Sequence, residues 1–312
     1  MLSPAQQKQR KQIRVQLIQP PLWAYNLPPL GVAYLTGALR NAGIQVRVQE
    51  LNRGFFLRMP EDVISLYRHM DTGNRGLAGD YPHWSFIFDR MVTFPMEKQV
   101  RLKKILAKKV HAWSKRIAKW GGYVCFSVHN TSLAFAQILA QEVRKLNPQQ
   151  VIIFGGPEID SHHYDLLKQN AVDYFIQGEG EEVLVRLLLE LEEKKSPTPY
   201  RGLTFYQEGT LVEGHGNTGE SNINQIPFPD FSDFFFYDYN YHAAIPILSS
   251  RSCVARCTFC AEPSYWGAFR QREPENILAE MEYQSKKYKI NIFYFCDSLI
   301  NGSVPWLVRL AE

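Results

Sequence analysis

The stretch Ile245-Pro-Ile-Leu-Ser-Ser-Arg-Ser-Cys253-Val-Ala-Arg-Cys257-Thr-Phe-Cys260 runs an apolar strand straight into three cysteines. Their spacing is C-x3-C-x2-C, with an aromatic residue, Phe259, just before the last one. Three thiolates on one short loop can converge on a soft metal centre, because a loop turns successive side chains to the same side where a strand alternates them. An iron–sulfur cluster held by only three cysteines keeps one iron open. A structural zinc site is the rival, but it normally wants a fourth ligand and paired C-x2-C knuckles. Only one such pair is present, and the remaining cysteines are Cys125 and Cys296. A disulfide framework does not suit five cysteines in a chain of 312 residues without a secretory signal.

Working outward, Pro274 to Tyr288 has an amphipathic helical pattern and Ile292 to Asp297 reads as the next strand. Strand, cysteine loop, helix and strand resembles the opening of the partial (β/α) barrel of the radical S-adenosylmethionine enzymes, which implies active groups at the carboxyl ends of the strands. Upstream, Thr198 to Gly214 reads as a hairpin around Glu208-Gly209, and Ser221 to Tyr241 as a linker rich in Phe, Asp and Pro.

The N-terminal half alternates strands and helices. Strands are read at Ile13–Gln19, Gln45–Leu51, Tyr123–Val128, Val151–Phe154 and Val172–Ile176. Helices fall at about 29–42, 131–146 and 178–193, and Gly43 marks a stop. This order predicts an α/β doubly wound parallel sheet with right-handed crossovers. Residues 53–120 are too long for one crossover and read as a mostly helical insertion. Every loop at the carboxyl edge of the sheet carries Gly or Pro: Pro20 to Gly31, Ser127 to Thr131, Gly155 to Glu158, and Gly178 to Glu181. That edge is where such sheets bind ligands.

Composition fits this picture. Apolar residues make up 45% and charged residues 21%, as in an ordinary globular protein. The length suits about two domains, and no apolar run nears the roughly 20 residues of a membrane span. Residues 1–12 are polar and read as a disordered tail; free cysteines fit a reducing cytoplasm. A net charge of +4 names no partner, but Lys98 to Lys119 holds nine Lys or Arg and no acid. There Leu102, Leu106, Val110, Trp113, Ile117 and Trp120 recur at helical spacing. Two readings stand: a solvated helix whose apolar stripe packs on the domain, or a basic face for membrane lipid, an acidic partner or RNA.

The cysteine loop resembles the cluster loop of the radical S-adenosylmethionine (radical SAM) enzymes. The N-terminal half resembles the cobalamin-binding module that precedes many of their cores, a flavodoxin-like fold. Pro29-Leu-Gly31, Ser127, Gly155-Gly156-Pro157 and Gly178-Glu179-Gly180-Glu181 carry that likeness in their order along the chain. The resemblance spans residues 13 to 300 and implies a [4Fe-4S] cluster on Cys253, Cys257 and Cys260. It also implies cobalamin against Ser127, Gly155, Gly156, Gly178 and Glu179, and S-adenosyl-L-methionine bound with help from Arg272 and Asp297. The Gly-Gly-Glu form usual for the S-adenosylmethionine amino group is absent.

Also absent is the Asp-x-His-x-x-Gly motif that ligates cobalt in the classical cobalamin module. Its loop here is Pro20 to Asn26, without histidine, as in the radical SAM branch. His129 is read as a cap of the following helix, with corrin contact as the other possibility. Cys125 is read as core, and Cys296 as turned into the packing.

By this resemblance the parts are residues 13–195 for cobalamin, 196–242 for hairpin and linker, and 243–312 for an incomplete radical SAM domain. The chain stops about 50 residues past Cys260, fewer than the partial barrel needs. A fragment, a split gene product or a truncated reading frame is expected, with an exposed strand edge at 292–295 that invites self-association. The implied activity is radical methylation or rearrangement at an unreactive carbon of a small-molecule or lipid substrate, fed by an external electron donor, with no specific nucleic acid. The alternatives are a non-catalytic corrinoid-binding or partner-binding protein, and a methylthiotransferase. The latter normally shows three more cysteines in its N-terminal domain.

Overall fold

The structure is a computed structural model. It describes residues 12–21, 26–56, 96–193, 196–214, 219, 222–239, 243–255 and 257–312. Most of the insertion expected at 53–120 therefore lies outside the described residues, as does the polar tail.

The sheet of the N-terminal half begins with β1 (Arg14–Gln19), α1 (Leu30–Asn41) and β2 (Gln45–Glu50). Helices α2 (Leu51–Phe56) and α3 (Met96–Trp120) lead to β3 (Tyr123–Ser127). Then come α4 (Leu133–Leu146), β4 (Ile152–Gly155), α5 (Tyr164–Lys168), β5 (Tyr174–Ile176) and α6 (Glu181–Glu192). The spatial order is β2-β1-β3-β4-β5, all parallel. Strand order reverses between β1 and β3, the switch point where doubly wound sheets open a crevice.

The near-continuous apolar character of these strands has a direct cause: both faces are covered. Leu17, Cys125 and Ile153 face a layer with Val32, Leu39, Val183 and Leu187 from α1 and α6. Their sequence neighbours Ile18, Phe126 and Phe154 face Val110, Trp113, Phe135 and Leu139 from α3 and α4. The two-residue period of a strand sends adjacent side chains to opposite layers. Helix α1 ends as expected at Gly43, whose φ of 80° allows Ile44 N to donate to Leu39 O at 3.0 Å.

The amphipathic stripe of α3 is spent on the domain, since Val110, Trp113 and Ile117 are buried. Its basic residues Lys104, Lys108, His111, Lys115 and Lys119 are exposed. Among the described residues no helix is long and apolar enough to cross a membrane.

The hairpin expected as part of a separate segment instead extends the sheet. Strands β6 (Leu203–Gln207) and β7 (Thr210–Glu213) add antiparallel to β5, making seven strands. Glu208 and Gly209 both take positive φ, 51° and 79°, which matches the two-residue turn favoured by twisted strands. Leu203 and Phe205 fill the core beside Ile176, so the hairpin covers an edge that β5 would otherwise leave open.

The C-terminal half is a βαβ unit. Strand β8 (Ile245–Ile247) pairs in parallel with β11 (Phe293–Phe295) across α8 (Pro274–Tyr288). Between them lie β9 (Ser250–Arg251), α7 (Glu262–Trp266) and β10 (Arg270–Gln271), with β9 and β10 antiparallel. Helix α9 (Val304–Ala311) packs against α8, with Arg309 on Glu275 at 2.6 Å, and its Trp306 Nε1 donates to Arg272 O, just before α8, at 2.7 Å. The halves share one core: Phe231, Phe234, Phe236, Ile245 and Ile290 join Val32 and Leu39. The linker lies so close on α1 that a Cβ at Gly37 would collide with Phe228 O. Arg40 ties the same linker down through Asp230 at 2.8 Å and Asp233 at 2.6 Å.

Glu50, at the end of β2, accepts a hydrogen bond from Arg53 N at 2.8 Å, yet burial pushes its carboxyl up to about 7. A carboxyl whose pKa rises on folding favours the folded state while protonated. The contribution is fully present below the usual carboxyl range and is lost as pH rises through about 7. Melting temperature should therefore fall between pH 5 and 8, and Glu50→Gln, which stays neutral, should flatten that slope. An unchanged slope in Glu50→Gln would refute the assignment.

Candidate functional site

A cavity of about 410 Å³ opens at the carboxyl ends of β1, β3, β4 and β5, at the switch point. The sheet contributes Leu17, Ser127, His129, Gly155, Gly156, Pro157 and Ile176. Helix α1 contributes Leu30, Gly31 and Tyr34, and the turn before α6 contributes Gly178, Glu179 and Glu181. The opposite wall belongs to the C-terminal half: Leu248, Arg251, Ala261, Tyr265, Trp266 and Cys296. The cavity thus lies between the two halves and is mostly apolar, with a few polar groups at its rim.

Ser127, Gly155, Gly156, Gly178 and Glu179, singled out from sequence, all come together in this wall. Gly156 is there because the turn demands it. Its φ is 114°, and a Cβ would run into Val128 O. Gly156→Ala should cost on the order of 2–4 kcal/mol from strain and overlap together. Urea unfolding checks it, and a loss below about 0.5 kcal/mol would show that the turn can relax.

His129 also lines the wall, and burial pulls its imidazole down to about 3, so it is neutral across the physiological range. It begins the turn before α4: its N–H donates to Ser132 Oγ at 3.0 Å, and Ser132 Oγ donates back to His129 O at 3.1 Å. The expected cap is therefore formed by backbone and Ser132.

The cysteine loop borders the same cavity. Ser252 enters it in a left-handed conformation, φ 70°, stabilised by Ser252 Oγ donating to Gly267 O at 2.8 Å. Cys253 and Cys260 are half-buried and Cys257 is exposed; none is in a disulfide. Cys260 N donates to Cys257 O at 3.1 Å, and the next residue, Ala261, stands in the cavity wall. Among the described residues no three His, Cys, Asp or Glu side chains are drawn together as a ligand set. In donor chemistry the loop fits a cluster: it offers three unpaired soft thiols, with Phe259, 91% exposed, leaving its outer side open.

Two expected site residues stand elsewhere. Asp297 is not in the cavity lining; it accepts from Ser249 Oγ at 2.7 Å and Ser250 Oγ at 2.6 Å, tying the end of β11 to the approach of the cysteine loop. Arg272 is buried and pairs with Glu280 at 2.6 Å while donating to Leu248 O at 3.0 Å, so its charge faces the core. Cys125 is buried as expected, and burial pushes its thiol up. Cys296 corrects the reading: it is exposed and lines the cavity. Strand alternation places it on the face of Tyr294, opposite Phe293, which packs on the core.

Sequence reading missed Arg251, Tyr265 and Trp266. Arg251 reaches Glu179 and, at 2.6 Å, Glu181. Desolvation works against its cation, but those two carboxylates overcome it and hold the group charged. Tyr265 donates to Gly178 O at 3.1 Å, and burial keeps its hydroxyl protonated.

No protein-family model matches the chain. It is 24% identical over 169 residues to the anaerobic magnesium-protoporphyrin IX monomethyl ester cyclase of Synechocystis, covering 50% of this chain and 32% of that protein. It is 28% identical over 142 residues to the bacteriochlorophyllide d C-12(1)-methyltransferase of Chlorobaculum tepidum, covering 44% of this chain and 28% of the relative. Among solved structures, the radical SAM methyltransferase TsrM of Kitasatospora setae superposes with a TM-score of 0.60 at 19% identity, over 95% of this chain and 50% of that one. The cobalamin-dependent radical SAM enzyme OxsB gives 0.60 at 17% identity, over 96% and 36%. The chain has the fold of the cobalamin-dependent radical SAM enzymes. It spans about a third of the length of the curated relatives it matches.

The TsrM structures hold tryptophan with an S-adenosylmethionine analogue in one case, and cobalamin with a [4Fe-4S] cluster in another.

Proposed function

We propose that this chain holds cobalamin in the cavity between its halves and a [4Fe-4S] cluster on Cys253, Cys257 and Cys260. It would take part in radical SAM methylation or rearrangement of an unreactive carbon in a small-molecule or lipid substrate. The observation that carries this reading is the shared wall: Ala261 and Cys296, from the cysteine half, line the crevice at the switch point of the sheet.

When bound, the cluster and cobalamin supply one-electron cleavage of S-adenosylmethionine and methyl delivery, chemistry that side chains cannot provide. The protein's own groups bind, orient and exclude water. Gly155 and Gly156 let the β4 turn approach a flat ligand closely, and Leu17, Leu30 and Ile176 make a dry bed for it. Ser127 and the neutral imidazole of His129 offer hydrogen bonds at the rim. Asp297, through Ser249 and Ser250, holds the strand that delivers the cysteine loop.

The test is to reconstitute the protein anaerobically with iron, sulfide and hydroxocobalamin, then reduce it with dithionite and add S-adenosylmethionine. Stoichiometric corrinoid, about four irons and formation of 5′-deoxyadenosine or a methylated product are expected. One zinc with no iron would sink the reading. Corrinoid and iron without S-adenosylmethionine turnover would favour the non-catalytic, corrinoid-binding alternative. In the cob(II)alamin state, electron paramagnetic resonance should show no protein imidazole on cobalt. Nitrogen splitting that vanishes in His129→Ala would contradict this.

A further inference from the structure

The cysteine loop and α7 form one excursion, residues 252–269, between β9 and β10. Its two base residues, Arg251 and Arg270, face each other across that antiparallel pair. Both grip a single carboxylate of the sheet half. Arg251 Nη1 is on Glu179 Oε2 and Arg270 Nη2 is on Glu179 Oε1. Arg251 Nη2 reaches on to Glu181 Oε1 at 2.6 Å, and its guanidinium stands 5.1 Å over Trp266. Arg270 Nη2 also donates to Trp266 O at 2.8 Å. Two cations thus meet two anions, with Arg251 at 4% and Glu179 at 5% exposure.

Desolvated charges of this kind hold only in narrow geometry, because each must keep its partner. We propose that Glu179, supported by Glu181, is a positioning residue. It clamps the base of the cysteine excursion to the cavity wall and so sets the distance between the thiols and whatever occupies the cavity. This rests on the functional reading above for the identity of the two cofactors, but the clamp itself does not. The Gly178-Glu179-Gly180-Glu181 segment thus lines the crevice and at the same time gives its two carboxylates to arginines of the other half.

Two measurements on the full chain decide it. Without cofactors, amide hydrogen exchange in Glu179→Gln should rise tenfold or more across residues 252–269, while β3 and β4 keep wild-type protection. Arg270→Lys, which keeps the charge and loses the fork, is the milder variant should Glu179→Gln fold poorly, and a smaller rise at the same residues is expected. With iron and hydroxocobalamin loaded, Glu179→Gln should keep wild-type iron, because the cysteines are untouched. It should lose most of the relaxation enhancement that the reduced cluster imposes on cob(II)alamin. Unchanged exchange at 252–269, or exchange raised equally throughout the chain, would overturn the clamp. A wild-type chain that takes up neither iron nor corrinoid would sink the functional reading, and the exchange result would still decide the clamp.

Discussion

Cys253→Ala, Cys257→Ala and Cys260→Ala are each expected to remove most of the roughly four irons that the reconstituted protein binds. Cys125→Ala should bind iron like the wild type. The difference follows from placement. The first three thiols lie on one loop at the border of the cavity, half-buried or exposed, whereas Cys125 is enclosed in β3 with its thiol pushed up by burial. A metal ligand must be a thiolate with room to converge on its partners, and Cys125 has neither property. Cys296 is the discriminating variant, since it shares the cavity wall with Ala261. Full iron in Cys296→Ala is expected with a three-cysteine cluster, and loss of iron there would mean a fourth thiolate. The measurement is iron per chain with the charge-transfer absorbance near the visible edge. Retention of iron in any of the three loop variants would break the assignment.

The parts legible in the sequence are those whose physics is local. Runs such as Tyr123 to Val128 and Val151 to Phe154 read as strands because a strand covered on both faces needs no polar alternation. Gly43 and Gly156 could be placed as turns because positive φ is nearly a glycine property. The cysteine spacing was legible for the same reason: all three ligands lie within eight residues. What stayed hidden depends on partners far along the chain. Glu179 and Arg251 are 72 residues apart, and nothing in either neighbourhood announces the other. The hairpin at β6 and β7 read correctly as a hairpin, but its joining of the sheet depends on the open edge of β5. Arg272 follows the cluster loop in a suggestive place, yet its direction is set by Glu280, Leu248 and Tyr34, which come from three different elements.

That arginine gives the second large effect. Glu280 is 0% exposed and Arg272 only 5%, and they form an ion pair at 2.6 Å in the shared core of the two halves. Burial raises the Glu280 carboxyl, and the attraction of Arg272 only partly opposes this. The sign matters. A carboxyl with a raised pKa favours the folded state when protonated, so above the usual carboxyl range this group is a burden that Arg272 keeps tolerable. Removing only the cation, as in Arg272→Met, strands the carboxylate and should cost about 3–5 kcal/mol near pH 7. The loss should shrink as pH falls, because Glu280 can then take up a proton. Replacing both, Arg272→Met with Glu280→Leu, removes two desolvation penalties along with one attraction, and should recover most of the loss. Denaturant unfolding of the four proteins at pH 5.5 and 7.5 closes this cycle. If the double variant is as unstable as Arg272→Met alone, the loss comes from the hydrogen bonds of Arg272 to Leu248 O and Asn276 Oδ1, which brace the C-terminal half, and the charge pair is not its source.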